Sequence, residues 1–350
     1  MLSVLNHFQL DTPAISCEKY GCGHINETYL VTTATRRYIL QKINDRIFQN
    51  VPALMENIAA VTGYLAKQTE DPRRVLSLVP TQDGKPYLQQ EGYWRVYDFV
   101  EDSLCLQLPE TAEDFYESAV AFGGFQQLLK DFPAHTLHEI IPNFHNTPDR
   151  YRIFRETLAK DPMGRAKEVQ AEIDFVLARE EEAGTLIRLL EQGKLPLRVT
   201  HNDTKLNNVM LDAATRKALC VIDLDTVMPG LSLYDFGDSI RFGAASAAED
   251  ETDLSKVKLD LDLYECFTSG FVSAIAGFLG DEEIKLLPYG ALLMTLEVGS
   301  RFLLDYLEGD KYFRIHRPEH NLERARTQLT LALDMERHFD EMNEIVRKYL

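Results

Sequence analysis

The residues best suited to chemistry lie between Val199 and Arg241. His201-Asn202-Asp203-Thr204-Lys205-Leu206-Asn207-Asn208 precedes a short apolar run, Val209-Met210-Leu211. A second run, Leu219-Cys220-Val221-Ile222, leads directly into Asp223-Leu224-Asp225. The turn-prone segment from Asp212 to Lys217 between them predicts a hairpin. Antiparallel strands bring their far ends together, so the acids and amides at opposite ends of this hairpin converge. Such a point suits phosphoryl transfer. That reaction needs a carboxylate to orient a hydroxyl and oxygen ligands to hold Mg²⁺ against nucleotide phosphates.

The spacing His201, Asp203, Asn208 is the H-x-D-x-x-x-x-N of a protein-kinase catalytic loop, and Asp223 stands where such enzymes place a metal-binding Asp. Asp203 is accordingly the candidate catalytic carboxylate and Lys205 the cation near the transferring group. Asn208 and Asp223 are the candidate Mg²⁺ ligands. Asp225, on the same side of an extended chain as Asp223, is open to a second metal or to the acceptor. Asp235 and Asp238, in Tyr234-Asp235-Phe236-Gly237-Asp238, read as structural acids at a helix start. The plain alternative for the whole stretch is an Asp- and Asn-rich turn with buried capping acids.

These residues carry a resemblance. HNDTKLNN, IDLDTVMPG and YDFGD resemble the aminoglycoside phosphotransferase and choline kinase superfamily. HxDTKxxN, DLDTVMPG, DYLEGDKYF and PEHNLERARTQ are similar to the N-acetylhexosamine 1-kinases of bacterial host-glycan catabolism. The resemblance implies an α+β, protein-kinase-like (aminoglycoside phosphotransferase-like) fold with a small β-rich N-lobe and a larger α-helical C-lobe. It implies ATP and Mg²⁺ as cofactors and the anomeric O1 of an N-acetylhexosamine as acceptor. Backbone groups near Asp98 and Val100, in a kinase-like hinge, would meet the adenine edge. Arg301 would lie at the hexose, although a salt bridge to Glu297 one turn earlier serves that arginine nearly as well. Tyr312 and Phe313 are candidates to stack on the sugar ring. Kinases for choline, ethanolamine, homoserine or an aminoglycoside are the nearest alternative. A non-catalytic pseudokinase is the more distant one.

Upstream elements must position these groups. Gly21 and Gly23 form a turn between strand-like runs, where backbone amides can approach phosphates without Cβ interference. An ordinary hairpin turn explains them as well. Lys42, one strand later, lies at about the separation kinases use for the phosphate-binding lysine. Val51 to Leu65 reads as a helix with Pro52 in its first turn and Leu54, Ile58, Val61 and Leu65 as its apolar stripe. Glu56 is its one acid, either the partner of Lys42 or a solvated surface residue. Two strands around Glu91-Gly92 run into Asp98-Phe99-Val100-Glu101. The expected organisation is an N-lobe over 1–97, a hinge over 98–103 and a helical C-lobe over 104–350.

Helical periodicity covers Thr111–Lys130, Pro148–Lys160, Val169–Gln192, Leu259–Leu279, Glu282–Tyr306 and Pro318–Leu350. Phe144 to Tyr151 has no evident role beyond Thr147 capping the helix that Pro148 opens. With 350 residues the chain can bury a sizeable core, and its 45% hydrophobic and 26% charged content is that of an ordinary globular protein. Fifty-five acids against 37 bases leave a net charge of −18, which argues against nucleic acid and anionic membranes as partners. The expected partners are ATP and a small-molecule sugar, in a monomer or small homo-oligomer. Five cysteines without a CxxC read as free thiols. No signal peptide or membrane span is recognisable, so a cytoplasmic location is expected.

Overall fold

The computed structural model describes residues 1–21 and 25–350. The chain divides into two compact units. The first takes in Met1–Cys105, Leu128–Pro142 and Asn208–Pro229, and the second Leu106–Gln127, Asn143–Asn207 and Gly230–Leu350.

The first unit is built on a sheet that has six strands among the described residues. Its central strands are Glu27–Thr32, Arg37–Ile43 and Tyr93–Asp98, paired antiparallel in that order. Alternating side chains of these strands, among them Val31, Tyr38, Leu40 and Val96, form a buried cluster with Val4, Leu5 and Phe8 from the N-terminus. The turn before Tyr93 is made by Glu91 and Gly92, both at positive φ. The helix Val51–Leu65 has the bounds its periodicity predicts, and the Asn50 side chain caps it by accepting the Ala53 N–H. Leu54, Ile58 and Val61 are fully buried, at about 1.5–3 kcal/mol for each large apolar side chain removed from water. The predicted hairpin is also present, as Val209–Asp212 paired with Ala218–Val221, and Ser103–Cys105 adds a third strand.

The second unit is helical. Its longest helix, Leu287–Glu308, is buried along most of its length and packs on Ser232–Gly243, His320–Arg337 and Thr147–Lys160. Gly237 and Gly290 mark the crossing of the first pair: a Cβ on Gly237 would overlap the Gly290 carbonyl. Several helices are shorter than their periodicity suggests. The Val169–Gln192 span is broken into Gln170–Leu177, Glu180–Ala183 and Thr185–Glu191, and the C-terminal span divides at His338. Apolar periodicity reports which residues are buried; it does not report a backbone turn between them. Among the described residues, no helix is long and apolar enough to cross a membrane.

Candidate active site

The loop from His201 to Asn207 lies in the helical unit and is held from below by two acids. Asp235, in the first turn of the Ser232–Gly243 helix, accepts the backbone N–H groups of His201 at 2.9 Å and Asn202 at 2.8 Å. Its third donor is the Gln126 amide at 2.6 Å. Burial holds Asp235 above the usual carboxylate range, partly offset by the His201 ring and the loop amides. Asp238, one turn on, accepts the Thr204 N–H at 2.9 Å, and its other oxygen binds Arg241. Asn202 sits at φ 63°, a left-handed conformation, and closes a small ring with Thr200 through 3.0 and 3.2 Å bonds. Gly230 permits this, since a Cβ there would collide with the Thr200 hydroxyl.

On this loop Lys205 Nζ lies 3.0 Å from the Asp203 carboxylate, with both side chains about one-third exposed. The Asp203 charge, aided by Asp238 and Glu249, holds the ammonium above its ordinary range against the cost of burial. His201 is fully buried, edge-on to Phe122 and Phe125, and its Nδ1 accepts the Asp203 N–H at 3.3 Å. A carboxylate and a cation are thus presented on a loop whose backbone is tied down on its inner side.

The sheet unit carries the other acids. The Ile222 N–H donates to the Asn208 carbonyl at 2.9 Å, so Asn208 and Asp223 emerge at the same end of the hairpin. Asp223 adopts φ 59°, ψ 57° and opens a single turn, Leu224–Thr226. An amide and a carboxylate at one end of a hairpin are an oxygen donor set that fits Mg²⁺, which takes few protein ligands and completes its shell with phosphate and water.

Asp225 departs from the expectation that it faces a metal or the acceptor. It is buried, with Oδ1 paired to the Arg95 guanidinium and Oδ2 accepting from the Asn26 amide at 2.5 Å. Burying a carboxylate demands such partners, and these occupy both of its oxygens. Arg95, in the strand Tyr93–Asp98, is itself 1% exposed and also donates to Gln41 at 2.9 Å. Asn57, fully buried on the Val51–Leu65 helix, donates to the Val227 carbonyl at 3.0 Å just past the same turn. Neither Arg95 nor Asn57 stood out in the sequence. The only signal was a charged and a polar residue inside otherwise apolar segments.

Glu56 does not pair with Lys42. Its carboxylate lies 2.7 Å from His138 Nε2 and is 67% exposed, because the apolar stripe turns this position of the helix outward. Lys42 instead places its ammonium 5.3 Å from the centre of the Trp94 ring, and Gly92 lies close against its stem. Gly21 has φ 74° with open space around it; Gly23 lies outside the described residues. In the segment expected to serve as hinge, the Asp98 N–H donates to Ser77 and the Val100 carbonyl accepts the Ser103 hydroxyl.

In the helical unit, Arg301 lies among three rings, 5.1 Å from Phe144, 5.8 Å from Tyr312 and 5.6 Å from Phe313. Its guanidinium is 3.9 Å from Glu297, the long i,i+4 pair that spacing alone allows. Glu297 is fully buried and engages His145 at 2.8 Å and the Thr147 hydroxyl at 3.2 Å. Thr147 is therefore not the helix cap; the Asn146 side chain is, accepting the Asp149 N–H. Burial pushes Glu297 up, but His145 and then Arg301 bring it below its usual range. Arg150 donates to the Phe144 backbone carbonyl, tying down the chain there, and the His145 ring packs 4.9 Å from that of Tyr234, next in the chain to Asp235. The Phe144–Tyr151 segment thereby joins the arginine cluster to the acid beneath the His201–Asn207 loop. Tyr312 is 61% exposed, so its ring can be covered by a ligand.

A sheet unit, a helical unit and an H-x-D-x-x-x-x-N loop followed by an Asp-bearing turn define a protein-kinase-like α+β fold. A model of the phosphotransferase enzyme family (APH) matches residues 16–264, and the chain belongs to that family. Solved structures share the fold over nearly the whole length. The microcompartment-associated aminopropanol kinase is 20% identical over 98% of this chain and 97% of that chain, with TM-score 0.66. An aminoglycoside phosphotransferase from Alicyclobacillus acidocaldarius is 13% identical, covering 99% and 96%, also at 0.66. Spectinomycin phosphotransferase, solved with ADP and spectinomycin, is 11% identical, covering 100% and 98%, at 0.57.

Proposed function

We propose that the protein is an ATP- and Mg²⁺-dependent small-molecule kinase that phosphorylates the anomeric O1 of an N-acetylhexosamine. The kinase part rests on the Asp203–Lys205 pair, held by Asp235 and Asp238 in a chain of the phosphotransferase family. Asp203 orients the acceptor hydroxyl and takes its proton as the oxygen bonds to the γ-phosphorus. The bond from that phosphorus to the β–γ bridging oxygen breaks, and ADP leaves. Lys205 holds the carboxylate in place and offsets charge on the transferring group, with Lys42 serving the nucleotide phosphates. Asn208 and Asp223 would hold Mg²⁺, which neutralises phosphate charge when bound. Gly21, Gly23 and backbone groups at Asp98 and Val100 would receive the rest of the nucleotide.

The single observation that supports a sugar is the setting of Arg301. A guanidinium that is 12% exposed among Phe144, Tyr312 and Phe313 offers fixed donors beside apolar ring faces, which suits a neutral polyhydroxy ring. The same arginine repels a cationic amino alcohol. Against it stands the net charge of −18, which favours a cationic acceptor in general and keeps an amino-alcohol kinase as the second reading.

An anomeric hydroxyl is more acidic than other sugar hydroxyls, so a weak base such as Asp203 can serve it. Phosphorylation at O1 also removes the reducing end, whereas phosphorylation at O6 keeps it. Incubation with Mg·ATP and N-acetylglucosamine or N-acetylgalactosamine should consume reducing sugar in step with ADP release. ADP release with reducing ends intact refutes the 1-kinase. Release with choline or aminopropanol but neither sugar transfers the assignment to the second reading.

A further inference from the structure

Arg95 is the largest fully buried side chain among the described residues and belongs to none of the groups a phosphoryl transfer consumes directly. Its ion pair with Asp225 joins residues 130 positions apart. Buried ion pairs seldom add net stability, because desolvation cancels most of the attraction and an apolar pair of similar volume does as well. What such a pair does supply is a fixed geometry. Here the geometry concerns the turn that opens with Asp223.

That turn is held at three points within the sheet unit. On its N-terminal side Ile222 is hydrogen-bonded to Asn208. On its C-terminal side the Asn57 amide holds the Val227 carbonyl. At its centre Arg95 and Asn26 take the two oxygens of Asp225. Asp223 itself is in the left-handed region, which costs a non-glycine residue on the order of 1 kcal/mol and persists only where the surroundings impose it. Asn26 also accepts the Asn44 N–H at 3.0 Å, so the start of the strand Glu27–Thr32 and the end of the strand Arg37–Ile43 are both fastened to the same carboxylate.

Resting on the kinase reading above, we propose that Arg95 is a positioning residue for the metal–nucleotide site. It withdraws Asp225 from the metal and sets the backbone of the turn so that Asp223, beside Asn208, is the one acid presented to a divalent cation. Arg95 makes no contact with substrate in this role. Its loss should therefore weaken the part of nucleotide affinity that depends on metal, and leave the metal-free part alone.

The test uses the full chain with ADP as probe, titrated calorimetrically with and without Mg²⁺. Arg95→Met alone strands a buried carboxylate, so it is paired with Asp225→Asn, and thermal melting checks that the double variant folds. Wild type should bind ADP at least tenfold more tightly with Mg²⁺. The double variant should lose most of that enhancement while its metal-free affinity stays within about threefold. Arg95→Lys, which keeps the charge, should retain more of the enhancement than the double variant. An undiminished Mg²⁺ enhancement in a folded double variant overturns the proposal, as does an equal loss of affinity with and without metal. The acceptor reading fails separately: wild type that shows the enhancement but phosphorylates no sugar leaves the role of Arg95 standing. Wild type with no Mg²⁺ enhancement overturns the role of Arg95 together with the Mg²⁺-dependent kinase reading on which it rests.

Discussion

Asp235 Oδ1 accepts the backbone N–H of Asn202 at 2.8 Å and so keeps a non-glycine residue in the left-handed region one position before the candidate base. The same carboxylate takes the His201 N–H and the Gln126 amide. Replacing it with alanine strands donors that have no access to water, each at about 1–3 kcal/mol. Asp235→Ala should therefore lower unfolding free energy by several kcal/mol in a denaturant titration and reduce turnover through the loop. A loss under about 1 kcal/mol would show that the loop holds its shape without this acid.

Asp203→Asn keeps the volume of the side chain and removes the proposed base. Turnover should fall about a hundredfold or more, in line with the usual contribution of a positioned proton acceptor. The melting temperature and the affinity for Mg·ADP should stay near wild type. Near-normal kcat in the variant removes Asp203 from the mechanism.

Asp223 and Glu56 separate the proposed metal-holding acid from a surface one. Asp223→Ala should abolish Mg²⁺-dependent turnover at any practical metal concentration. Glu56→Ala, which loses only an exposed contact with His138, should leave kcat and the KM for ATP within about twofold. A collapse of ATP binding in Glu56→Ala would mean that Glu56 swings toward Lys42 when nucleotide is present.

Glu297 links stability to pH. His145 and Arg301 lower its folded-state value below the ordinary 4.5, so its stabilising contribution is fully present above that pH. As pH falls from about 4.5 through the folded value, the folded state must protonate a group it prefers charged, and the contribution is lost. Unfolding of wild type and Glu297→Gln compared from pH 7 to pH 3.5 should show the gap between them closing below about pH 4.5. A gap that stays constant over this range rules out a depressed Glu297.

Much of the site could be read along the chain because its determinants are local. The hairpin between Asn208 and Asp223 and the Val51–Leu65 helix both follow from spacing, turn residues and apolar period. These features depend on neighbours a few residues apart. The family resemblance extended the same reading to the fold.

Tertiary structure decided which polar groups meet. Period places Glu56 on the helix face opposite the apolar stripe but does not say what it meets there, and in the packed helix it pairs with His138 rather than with Lys42. Asp225 looks like a second free acid until the sheet brings Arg95 and Asn26 onto its two oxygens. Arg301 reads as either a salt-bridged or a ligand-facing arginine. Its setting among Phe144, Tyr312 and Phe313 needs chain segments far apart in sequence. Buried polar groups must find partners wherever the fold supplies them, and that supply is a property of packing between distant segments rather than of local sequence.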